Sequence, residues 1–514
     1  MFKKILSVAL CVSLLAAFAP CVFASDSCDC GTEPFIFVEG INTIDLVLDR
    51  GTENEQLAFP PSTESIVNAV LKVVPTLLVS DFYSADELAD KLTAAVAPLF
   101  ETIALDPDGN SLYNVTTEFK YPTTDHHKQG GRYTFCYDWR LDMHTLASQL
   151  HDYIEYVKEL TGHDSVHLLG FSMGTCVMDQ YLVDYGYDGL ESVIYYAGAY
   201  NGVSCCGEPM SNKIATDPKA LVSYIDALLG EDDSMATLKT ALNVLYKMGV
   251  FGVATNLVTD LYNKIGTKLA RDTILRTFAT MPGMLALMSL DDYNDYKEFV
   301  YTDEETAELW SRVIELSDDY HYNVQAKVPQ IFDDIQTKVG RLAVIAKYGF
   351  YATPAMTDYD VMSDTTIDTA YESAGATCSK VFETLGDDYV QAVDDGHNHI
   401  SPDNQIDAST CLLPDKTWFI KNLTHSRTGD TTYKLIRFIQ ENDTPVDIFT
   451  SADYPQFLYY DTVAEEISPL TVENASNTLV SDPGEPFSFK KLFDRIFAFI
   501  KMIFDFVTGI NAAT

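Results

Sequence analysis

The pentapeptide Gly-Phe-Ser-Met-Gly at residues 170–174 constrains the fold of this chain more than any other feature. It follows an apolar run at residues 166–169 and precedes a helical pattern with the side chains Val177, Tyr181 and Tyr185 on one face. A sharp turn from strand to helix needs small residues on both sides of the serine, because larger side chains would clash there. The pattern predicts that Ser172 projects above a sheet as a nucleophile.

Further apolar runs of strand length occur along the chain, at residues 35–38, 133–139, 193–197, 342–348 and 417–421. Between the runs at 133–139 and 166–169 lies an amphipathic stretch that ends at Gly162, a residue typical of a helix terminus. Short apolar runs separated by helices indicate a mostly parallel sheet with helices on both faces. Together with the serine turn, this alternation predicts the α/β-hydrolase fold.

The segment at residues 205–335 interrupts this alternation with a series of helical stretches. Because ligands bind at the carboxyl ends of the strands in open α/β sheets, we expect this insertion to form a helical cap over that edge. We place the hydrolase domain at residues 25–460, a polar linker at residues 461–486 and a separate C-terminal element at residues 487–514.

Residues 1–24 have the pattern of a secretory signal peptide. Lys3 and Lys4 precede an apolar run, and small residues stand where signal peptidase cleaves, after Ala24. The run is shorter than the about 20 apolar residues that span a bilayer. The sequence therefore predicts a secreted or cell-surface protein, with an uncleaved anchor as the alternative.

The chain is strongly acidic, with a formal net charge of −41 that becomes −43 once Lys3 and Lys4 are removed. Such a surface repels the phosphates of nucleic acids, so nucleic acid is excluded as a partner. It also opposes general adhesion to anionic membranes. Any membrane contact must therefore come from a local feature.

One such feature is the stretch at residues 487–510, which predicts a single amphipathic helix rich in Phe and Ile. Its basic residues outnumber its acidic ones, with Lys490, Lys491, Arg495 and Lys501 against Asp494 and Asp505. A basic, aromatic helix suits peripheral contact with a membrane interface. The alternative is a helix docked on the protein or on a partner.

Eight of the ten cysteines lie outside the signal peptide, and export makes disulfides an expectation. Cys378 and Cys411 are a candidate pair. Cys28 and Cys30 are candidates for pairing with Cys205 or Cys206. Cys136 and Cys176 lie in stretches with the pattern of buried segments, so we expect them to be free thiols.

A serine nucleophile needs a histidine base, which in this fold comes last, after an acid. The histidines that follow Ser172 are His321, His397, His399 and His425. Only His425 comes just after a strand-like run, where the base belongs. His321 falls in the insertion, and we expect it at the surface.

The acid is expected in the loop after the strand-like run at residues 342–348. Asp364 lies in this loop and is the predicted acid. Asp395 and Asp403 are alternatives, because the chain carries many acidic side chains in polar segments.

Backbone N–H groups are also needed to stabilise the oxyanion that forms when a serine attacks an ester. One donor is predicted to be Met173, the residue after the nucleophile, and the other Ile41, in the turn after the first strand. Many hydrolases have His-Gly at this turn, whereas this chain has Glu39 before Gly40.

These segments resemble the lecithin–cholesterol acyltransferase and lysosomal phospholipase family. The resemblance is closest for Tyr-Asp-Trp-Arg-Leu at residues 137–141, and it includes the opening strand and turn at 34–40 and the stretch at 44–49. The serine turn resembles that of the family, which usually has histidine where this chain has Phe171. Asp364 matches the family's acid, although Thr365 replaces the glycine that follows it there.

This resemblance extends weakly over residues 33–440 and implies acyl transfer from lipids, without fixing the acceptor. A departure from the family is the loop at residues 394–407, which carries His397, His399 and four aspartates. These side chains either bind a metal or pair with one another. The latter is the simpler interpretation, so no metal and no cofactor is assigned.

The sequence thus predicts an exported serine hydrolase or O-acyltransferase that acts on lipid esters through Ser172, Asp364 and His425. Two alternatives stay open at this point. One is a non-catalytic binding or surface protein on a hydrolase scaffold, and the other is an exported serine peptidase.

Overall fold

A computed structural model of the chain describes residues 28–485, apart from residues 29, 42–43, 79, 128–130, 231–234 and 428. The predicted signal peptide and the predicted C-terminal helix lie outside the described residues. The central feature is a sheet of eight strands: β1 (Phe35–Val38), β2 (Arg132–Phe135), β3 (Val166–Phe171), β4 (Leu190–Tyr196), β5 (Leu342–Tyr348), β6 (Thr417–Lys421), β7 (Phe457–Asp461) and β8 (Glu466–Pro469).

The strands lie in the order β8-β7-β6-β5-β4-β3-β1-β2. All neighbouring strands are parallel except β8, which runs antiparallel to β7 at the edge. The chain passes from β1 outward to β2 and then returns across β1 to β3, so the strand order reverses between β1 and β3. Ligands bind at such a switch point, outside the carboxyl ends of the strands. This topology confirms the predicted α/β-hydrolase fold.

Helices cover both faces of the sheet because successive strand residues point to opposite sides. Ile36 and Val38 of β1 pack into one apolar core with the helices Met143–Thr161, Gly174–Tyr185 and Val328–Lys338. Phe35 and Phe37 pack into a second core, with the helix Asp430–Glu441. The predicted amphipathic helix is present as Met143–Thr161. Asp142 caps its N-terminus, and Gly162 ends it with a left-handed backbone conformation.

The segment between β4 and β5 is almost entirely helical, as the sequence predicts. Its helices are Ser204–Met210, Pro218–Leu229, Ala236–Lys247, Val250–Leu261, Thr267–Arg276, Pro282–Leu285, Leu290–Val300, Glu304–Leu309, Ser311–Asn323 and Val328–Lys338. The last of these is not part of a cap, because Phe332 packs on Tyr195 of β4 with ring centroids 4.7 Å apart. The insertion above the sheet is thus shorter at its C-terminal end than the predicted boundary at residue 335.

The segment between β1 and β2 forms a small subdomain beside the sheet. It contains a three-stranded sheet of Leu46–Leu48, Gln56–Phe59 and Val115–Thr116, and the helices Thr63–Leu78 and Ala85–Val96. Shorter elements elsewhere are the strand pairs Phe350–Tyr351 with Met362–Ser363 and Thr377–Cys378 with Ile406–Asp407, and the helix Thr369–Glu372.

The Tyr-Asp-Trp-Arg-Leu motif at residues 137–141 joins these parts together. The fully buried guanidinium of Arg140 donates to both carboxylate oxygens of Asp138, at 2.9 and 2.7 Å. It also donates to the carbonyl oxygens of Ile103 and Val115 in the small subdomain, at 3.0 and 3.2 Å. The carbonyl oxygen of Arg140 accepts from the N–H of Gly283 in the insertion. This buried, fully bonded ion pair holds the subdomain and the insertion to the loop after β2.

The prediction of a linker from residue 461 is wrong for its first part. The strands β7 and β8 add two strands to the sheet beyond the last predicted one, and Leu470 and Val480 are buried. An aromatic stretch and a short strand at the edge of a sheet lack the long apolar run by which inner parallel strands are recognised. The hydrolase domain therefore extends well past residue 460.

All eight described cysteines are free thiols, so the two expected disulfide pairings are wrong. Cys28 and Cys30 precede β1, at the amino ends of the strands, whereas Cys205 and Cys206 follow β4, at the carboxyl ends. Cys378 and Cys411 pack into one apolar cluster without a bond between them. The expectation of free thiols at Cys136 and Cys176 is met.

Within the described ranges, no single helix is long and apolar enough to cross a membrane. Two consecutive helical segments, Ala236–Lys247 and Val250–Leu275, are together long and apolar enough to cross a membrane, but they are bent by 64° at the break between them.

Candidate active site

Ser172 occupies the turn between β3 and the helix Gly174–Tyr185. Its φ of 53° lies in the left-handed region, which a residue with a side chain adopts only under local strain. Two hydrogen bonds hold this backbone: the N–H of Ser172 donates to the carbonyl oxygen of Tyr196, and its carbonyl oxygen accepts from the Thr175 hydroxyl at 2.7 Å. The strained turn is therefore fixed by its neighbours, and it raises the serine side chain above the carboxyl edge of the sheet.

The two glycines of the motif are required by close approaches of the backbone. A Cβ atom at Gly170 would lie 2.9 Å from the backbone of Thr175. A Cβ atom at Gly174 would overlap the carbonyl oxygen of Val38 and would lie 2.8 Å from that of Glu39. The serine turn thus packs directly against the end of β1, which brings the turn after β1 next to the nucleophile.

The structure brings the three predicted catalytic side chains together. The Nε2 atom of His425 lies 3.0 Å from the Oγ atom of Ser172, and its Nδ1 atom lies 2.5 Å from a carboxylate oxygen of Asp364. All three residues are buried, with Ser172 only 5% exposed. Nucleophile, base and orienting acid form one hydrogen-bonded line across the ends of β3, β5 and β6.

The loop that carries Asp364 is shaped around its carboxylate. One oxygen of Asp364 accepts from the N–H groups of Thr366 and Ile367, at 3.0 and 2.8 Å, while the other faces His425. Burial raises the pKa of Asp364, but the charge and hydrogen bond of His425, together with Glu372 and Lys347, outweigh burial and hold the pKa below its ordinary value. Thr365 has a φ of 89°, a conformation that favours glycine.

Behind the three residues lies a buried lysine that the sequence did not suggest. The Nζ atom of Lys347, on β5, donates to the carbonyl oxygens of Thr424, His425 and Arg427, at 3.2, 2.8 and 3.2 Å. It also lies 4.6 Å from the centre of the Tyr196 ring. Burial lowers the pKa of Lys347 to about 8, although the nearby carboxyl groups of Asp364 and Glu372 oppose this shift. Lys347 therefore fixes the backbone of the loop that carries His425.

Glu372 is a second acid beside Asp364 that the sequence did not suggest. One of its carboxyl oxygens accepts from the N–H of Lys347 at 2.7 Å. A carboxyl oxygen of Glu372 lies within 4.8 Å of a carboxyl oxygen of Asp364 and of a ring nitrogen of His425. Burial, and then the charge of Asp364, raises the pKa of Glu372 well above its ordinary value. Two buried carboxyl groups this close do not both ionise, so Glu372 is the neutral member and Asp364 the charged one.

Phe171, the residue before the serine, packs on the base. Its ring stacks on that of His425, with centroids 5.2 Å apart and planes inclined by 23°. The contact restricts the imidazole on the side facing β3, so that position 171 orients the base through packing.

The predicted oxyanion donors belong to two turns, the serine turn and the turn after β1. Met173 directly follows it at the start of the helix, and Ile41 lies in the turn after β1. This turn is close enough that a Cβ atom at Gly40 would lie 2.8 Å from the Cβ atom of Ser172. The carbonyl oxygen of Glu39 accepts from the Tyr137 hydroxyl at 2.8 Å, which ties the turn to the loop after β2.

The two alternative acids have other partners. Asp403 forms an ion pair with the buried Lys421 at 2.6 Å and accepts from the Tyr348 hydroxyl. Asp395 lies 2.9 Å from the Nε2 atom of His399. Neither contacts His425, so Asp364 alone among the three candidates is placed to orient the base.

Three side chains of the loop at residues 394–407, Asp395, His397 and His399, lie together with Asp415, with ligand atoms within 4.8 Å of one another. Both ring nitrogens of His399 already face protein acceptors, Asp395 at 2.9 Å and Gln456 at 2.8 Å. His397 is exposed, and its ring packs on Phe449. His399 thus pairs with one acid and one amide of the protein.

The expectation that His321 lies at the surface is wrong. The ring is fully buried, stacked on Tyr293, with its nitrogens 2.7 Å from the side-chain oxygen of Gln325 and 3.1 Å from the carbonyl oxygen of Leu285. Burial lowers its pKa to about 4, so the ring is neutral and serves the core of the insertion. It takes no part in the candidate active site.

The comparisons with known proteins found several distant structural likenesses. No protein-family model matches the chain, and no curated protein matches it. A bromoperoxidase from Bacillus anthracis is 16% identical over 33% of this chain, with a TM-score of 0.14, and the match spans 38% of the bromoperoxidase. A proposed aryl esterase from Burkholderia cenocepacia is 13% identical over 59% of this chain and 92% of its own, also with a TM-score of 0.14.

The fold and the site together define a chain of the α/β-hydrolase fold with a serine, a histidine and an aspartate aligned at the switch point of its sheet. The fold assignment rests on the strand order and the serine turn, independently of these likenesses.

Proposed function

We propose that this chain is an exported serine hydrolase or O-acyltransferase that acts on lipid esters through an acyl-enzyme. The observation that carries the proposal is the hydrogen-bonded line of Ser172, His425 and Asp364, with the serine in a left-handed turn. An ordinary serine in a tight turn has no need of a buried imidazole that is itself held by a buried carboxylate.

In the proposed reaction, the Oγ atom of Ser172 attacks the ester carbonyl carbon. The Nε2 atom of His425 takes the hydroxyl proton and then gives it to the oxygen of the leaving alcohol. Asp364 keeps the imidazole in the required orientation and stabilises its positive charge. The N–H groups of Ile41 and Met173 are the proposed donors to the oxyanion.

Release of the acyl group repeats these steps with a second nucleophile. Water gives hydrolysis, and an alcohol gives transfer of the acyl group to a new ester. His425 removes the proton from this nucleophile and returns it to Ser172. The resemblance to the lecithin–cholesterol acyltransferase and lysosomal phospholipase family supports either acceptor.

A lipid substrate is supported by the outer surface of the insertion. The helices Pro218–Leu229, Ala236–Lys247 and Val250–Leu261, with the turn between the last two, expose large apolar side chains: Leu228, Leu238, Val244, Leu245, Met248, Val250, Val253 and Val258. Met248 is 61% exposed and Val253 is 72% exposed. Apolar patches of this kind mark surfaces that contact apolar partners. In an acidic chain, they provide the local feature that membrane contact requires.

Export and peripheral membrane contact belong to the same proposal. Export is supported by the pattern of residues 1–24, and membrane contact by the basic, aromatic pattern of residues 487–510. Because Ser172 is 5% exposed, we also propose that the insertion moves when a lipid surface binds, which opens the site.

The proposal is tested with the purified chain on phosphatidylcholine vesicles, a triacylglycerol emulsion and a peptide mixture. We expect fatty acid release from a lipid, loss of this release in Ser172→Ala, and no peptide cleavage. Activity on peptides alone would favour the peptidase alternative, and inactivity on every ester would favour the binding protein.

The apolar surface is tested by a Met248→Ser/Val253→Ser double variant. We expect fatty acid release from the lipid to fall by about tenfold, because two apolar contacts with the lipid are lost. Hydrolysis of a soluble aryl ester should be unchanged. The matched control is Val463→Ser, in the turn between β7 and β8, where the side chain is 84% exposed. Equal losses in the two variants would contradict a special role for the insertion.

A further inference from the structure

Four potential metal ligands meet at the end of the sheet opposite the candidate active site. They are Cys28 and Cys30, which precede β1, His127, which precedes β2, and His163, which precedes β3. Because β2, β1 and β3 are neighbours in the sheet, the segments before them converge at one edge. The residues of the active site instead follow β3, β5 and β6.

The ligand atoms are spaced as they would be around a single tetrahedral ion. The Nε2 atoms of His127 and His163 lie 3.2 Å apart, and the Sγ atom of Cys30 lies 3.3 Å from the first and 3.5 Å from the second. The Sγ atom of Cys28 lies 3.7 Å from the Nε2 atom of His127. Bond lengths of about 2.3 Å to sulfur and 2.0 Å to nitrogen in a tetrahedron place ligand atoms about 3.3–3.8 Å apart.

One of the histidines is prepared for metal binding by its second nitrogen. The Nδ1 atom of His127 lies 2.5 Å from a carboxylate oxygen of Asp125, which also accepts from the hydroxyl of Tyr133. A ring that donates its Nδ1 proton to a carboxylate presents the lone pair of Nε2 to the cluster. This carboxylate–histidine arrangement is the one that orients histidines on zinc.

The chemistry of the four donors selects the metal. Two thiolates and two neutral imidazoles are the borderline-soft set that Zn²⁺ prefers, and they match its positive charge with two negative ones. Binding converts two thiols into thiolates and releases two protons to solvent. Oxygen-binding cations such as Mg²⁺ and Ca²⁺ are poorly matched to this set.

We propose that Cys28, Cys30, His127 and His163 form a structural Zn²⁺ site that fastens the segment before β1 to the segments before β2 and β3, at the amino ends of these strands. Four protein ligands fill a tetrahedron and leave no position for water or substrate, which separates this site from catalytic zinc. The site links the segments that precede β1, β2 and β3. Without it, these segments are connected only through the pairing of the strands that follow them. It is independent of the proposed ester chemistry at the opposite edge.

The burial of the four ligands fits this structural role. His127 is 1% exposed and His163 is 7% exposed, so two imidazoles are placed inside the protein facing each other. Cys30 lies at the surface, and Cys28 is half-buried and bonded through its N–H to the carbonyl oxygen of Gly162. The ion would close the cluster from the solvent side and would protect the thiols from oxidation.

The first test is the metal content of the purified chain, measured by mass spectrometry after dialysis against buffer with micromolar ZnSO₄ and then without it. We expect about one Zn²⁺ per chain in the wild type and in Ser172→Ala. Cys30→Ser and His163→Asn should lose the metal, whereas His397→Ala, from the other His–Asp cluster, should keep it. The proposal would be overturned if the wild-type chain contained no zinc, or if His397→Ala lost zinc while Cys30→Ser and His163→Asn kept it.

The second test needs no variant and therefore does not depend on whether a variant folds. Wild-type chain in which Co²⁺ replaces zinc should show the visible absorption of tetrahedral cobalt and a near-ultraviolet band from cobalt–thiolate bonds. Iodoacetamide should modify Cys28 and Cys30 only after a chelator removes the metal. A peptide map that instead shows a Cys28–Cys30 disulfide, or thiols equally reactive with and without chelator, would overturn the proposal.

Discussion

Gly40 faces Ser172 so closely that a methyl group at position 40 would lie 2.8 Å from the serine Cβ atom. Gly40→Ala should therefore push apart the serine turn and the turn that carries Ile41, one of the proposed oxyanion donors. We expect kcat on a soluble aryl ester to fall on the order of 10²-fold, the cost of misplacing a reacting group by about 1 Å.

The control for this prediction is Gly252→Ala, in the helix Val250–Leu261, where an added methyl group meets nothing within 4 Å. It should leave kcat unchanged, since alanine is favoured over glycine within a helix. Equal activity of the two variants would show that the close approach at Gly40 is unimportant.

Asp364→Asn should lower kcat by about 10⁴-fold, because an amide no longer stabilises the imidazolium and leaves His425 in the wrong tautomer. Circular dichroism should show that the fold is kept. The matched control is Asp395→Asn, which alters a second carboxylate that faces a histidine, at 2.9 Å. If both variants lose activity alike, the assignment of Asp364 as the orienting acid fails.

Lys347→Met should lower kcat by roughly 10²-fold and leave KM nearly unchanged, because the loop carrying His425 loses its three hydrogen bonds to the ammonium group. The comparison variant is Lys421→Met, which removes another buried lysine, bonded to Asp403 and Gln405 on the far side of Tyr348. Both variants should lower Tm. Only Lys347→Met should lower kcat in the fraction that stays folded. If the two variants have a similar kcat, Lys347 has a structural role and does not position His425.

The raised pKa of Glu372 predicts how the stability of the fold depends on pH. Its folded-state pKa is raised by burial and by Asp364, so its contribution to stability is complete below its ordinary pKa of 4.5 and is lost as the pH rises above that value. Glu372→Gln removes this loss, because an amide stays neutral. Relative to wild type, its free energy of unfolding should increase as the pH rises above 4.5, by at most about 1.4 kcal/mol per pH unit, until the pH reaches the raised pKa of Glu372. Urea unfolding at several pH values measures the difference, and a constant difference would contradict a neutral Glu372.

Much of the fold was predictable because the signals are local. The serine turn and its two glycines encode a specific backbone geometry within five residues. The inner strands β3 and β5 are buried on both faces and form mostly apolar runs, with His167 and Lys347 as the exceptions. The antiparallel edge strand Glu466–Pro469 has no such run, and its partner β7 ends at the polar stretch taken for a linker, so both were missed.

The supporting parts of the active site had no signal in the sequence. Lys347 lies inside an apolar strand, and Glu372 lies in a single helical turn, where lysine and glutamate are ordinary surface residues. Their importance arises from burial and from charges brought close by folding. The Cys28, Cys30, His127 and His163 cluster was missed for the same reason, since its members come from three segments joined only through the sheet.

The central claim is that Ser172 is an activated nucleophile, and a fluorophosphonate probe tests it most directly, because only an activated serine reacts with it. The wild-type chain is incubated with a small probe, digested and mapped by mass spectrometry. The account predicts a single adduct on the peptide that contains Ser172, absent from Ser172→Ala and strongly reduced in Asp364→Asn. A wild-type chain that stays unlabelled at Ser172 while keeping its fold, or a label at another serine, would contradict it.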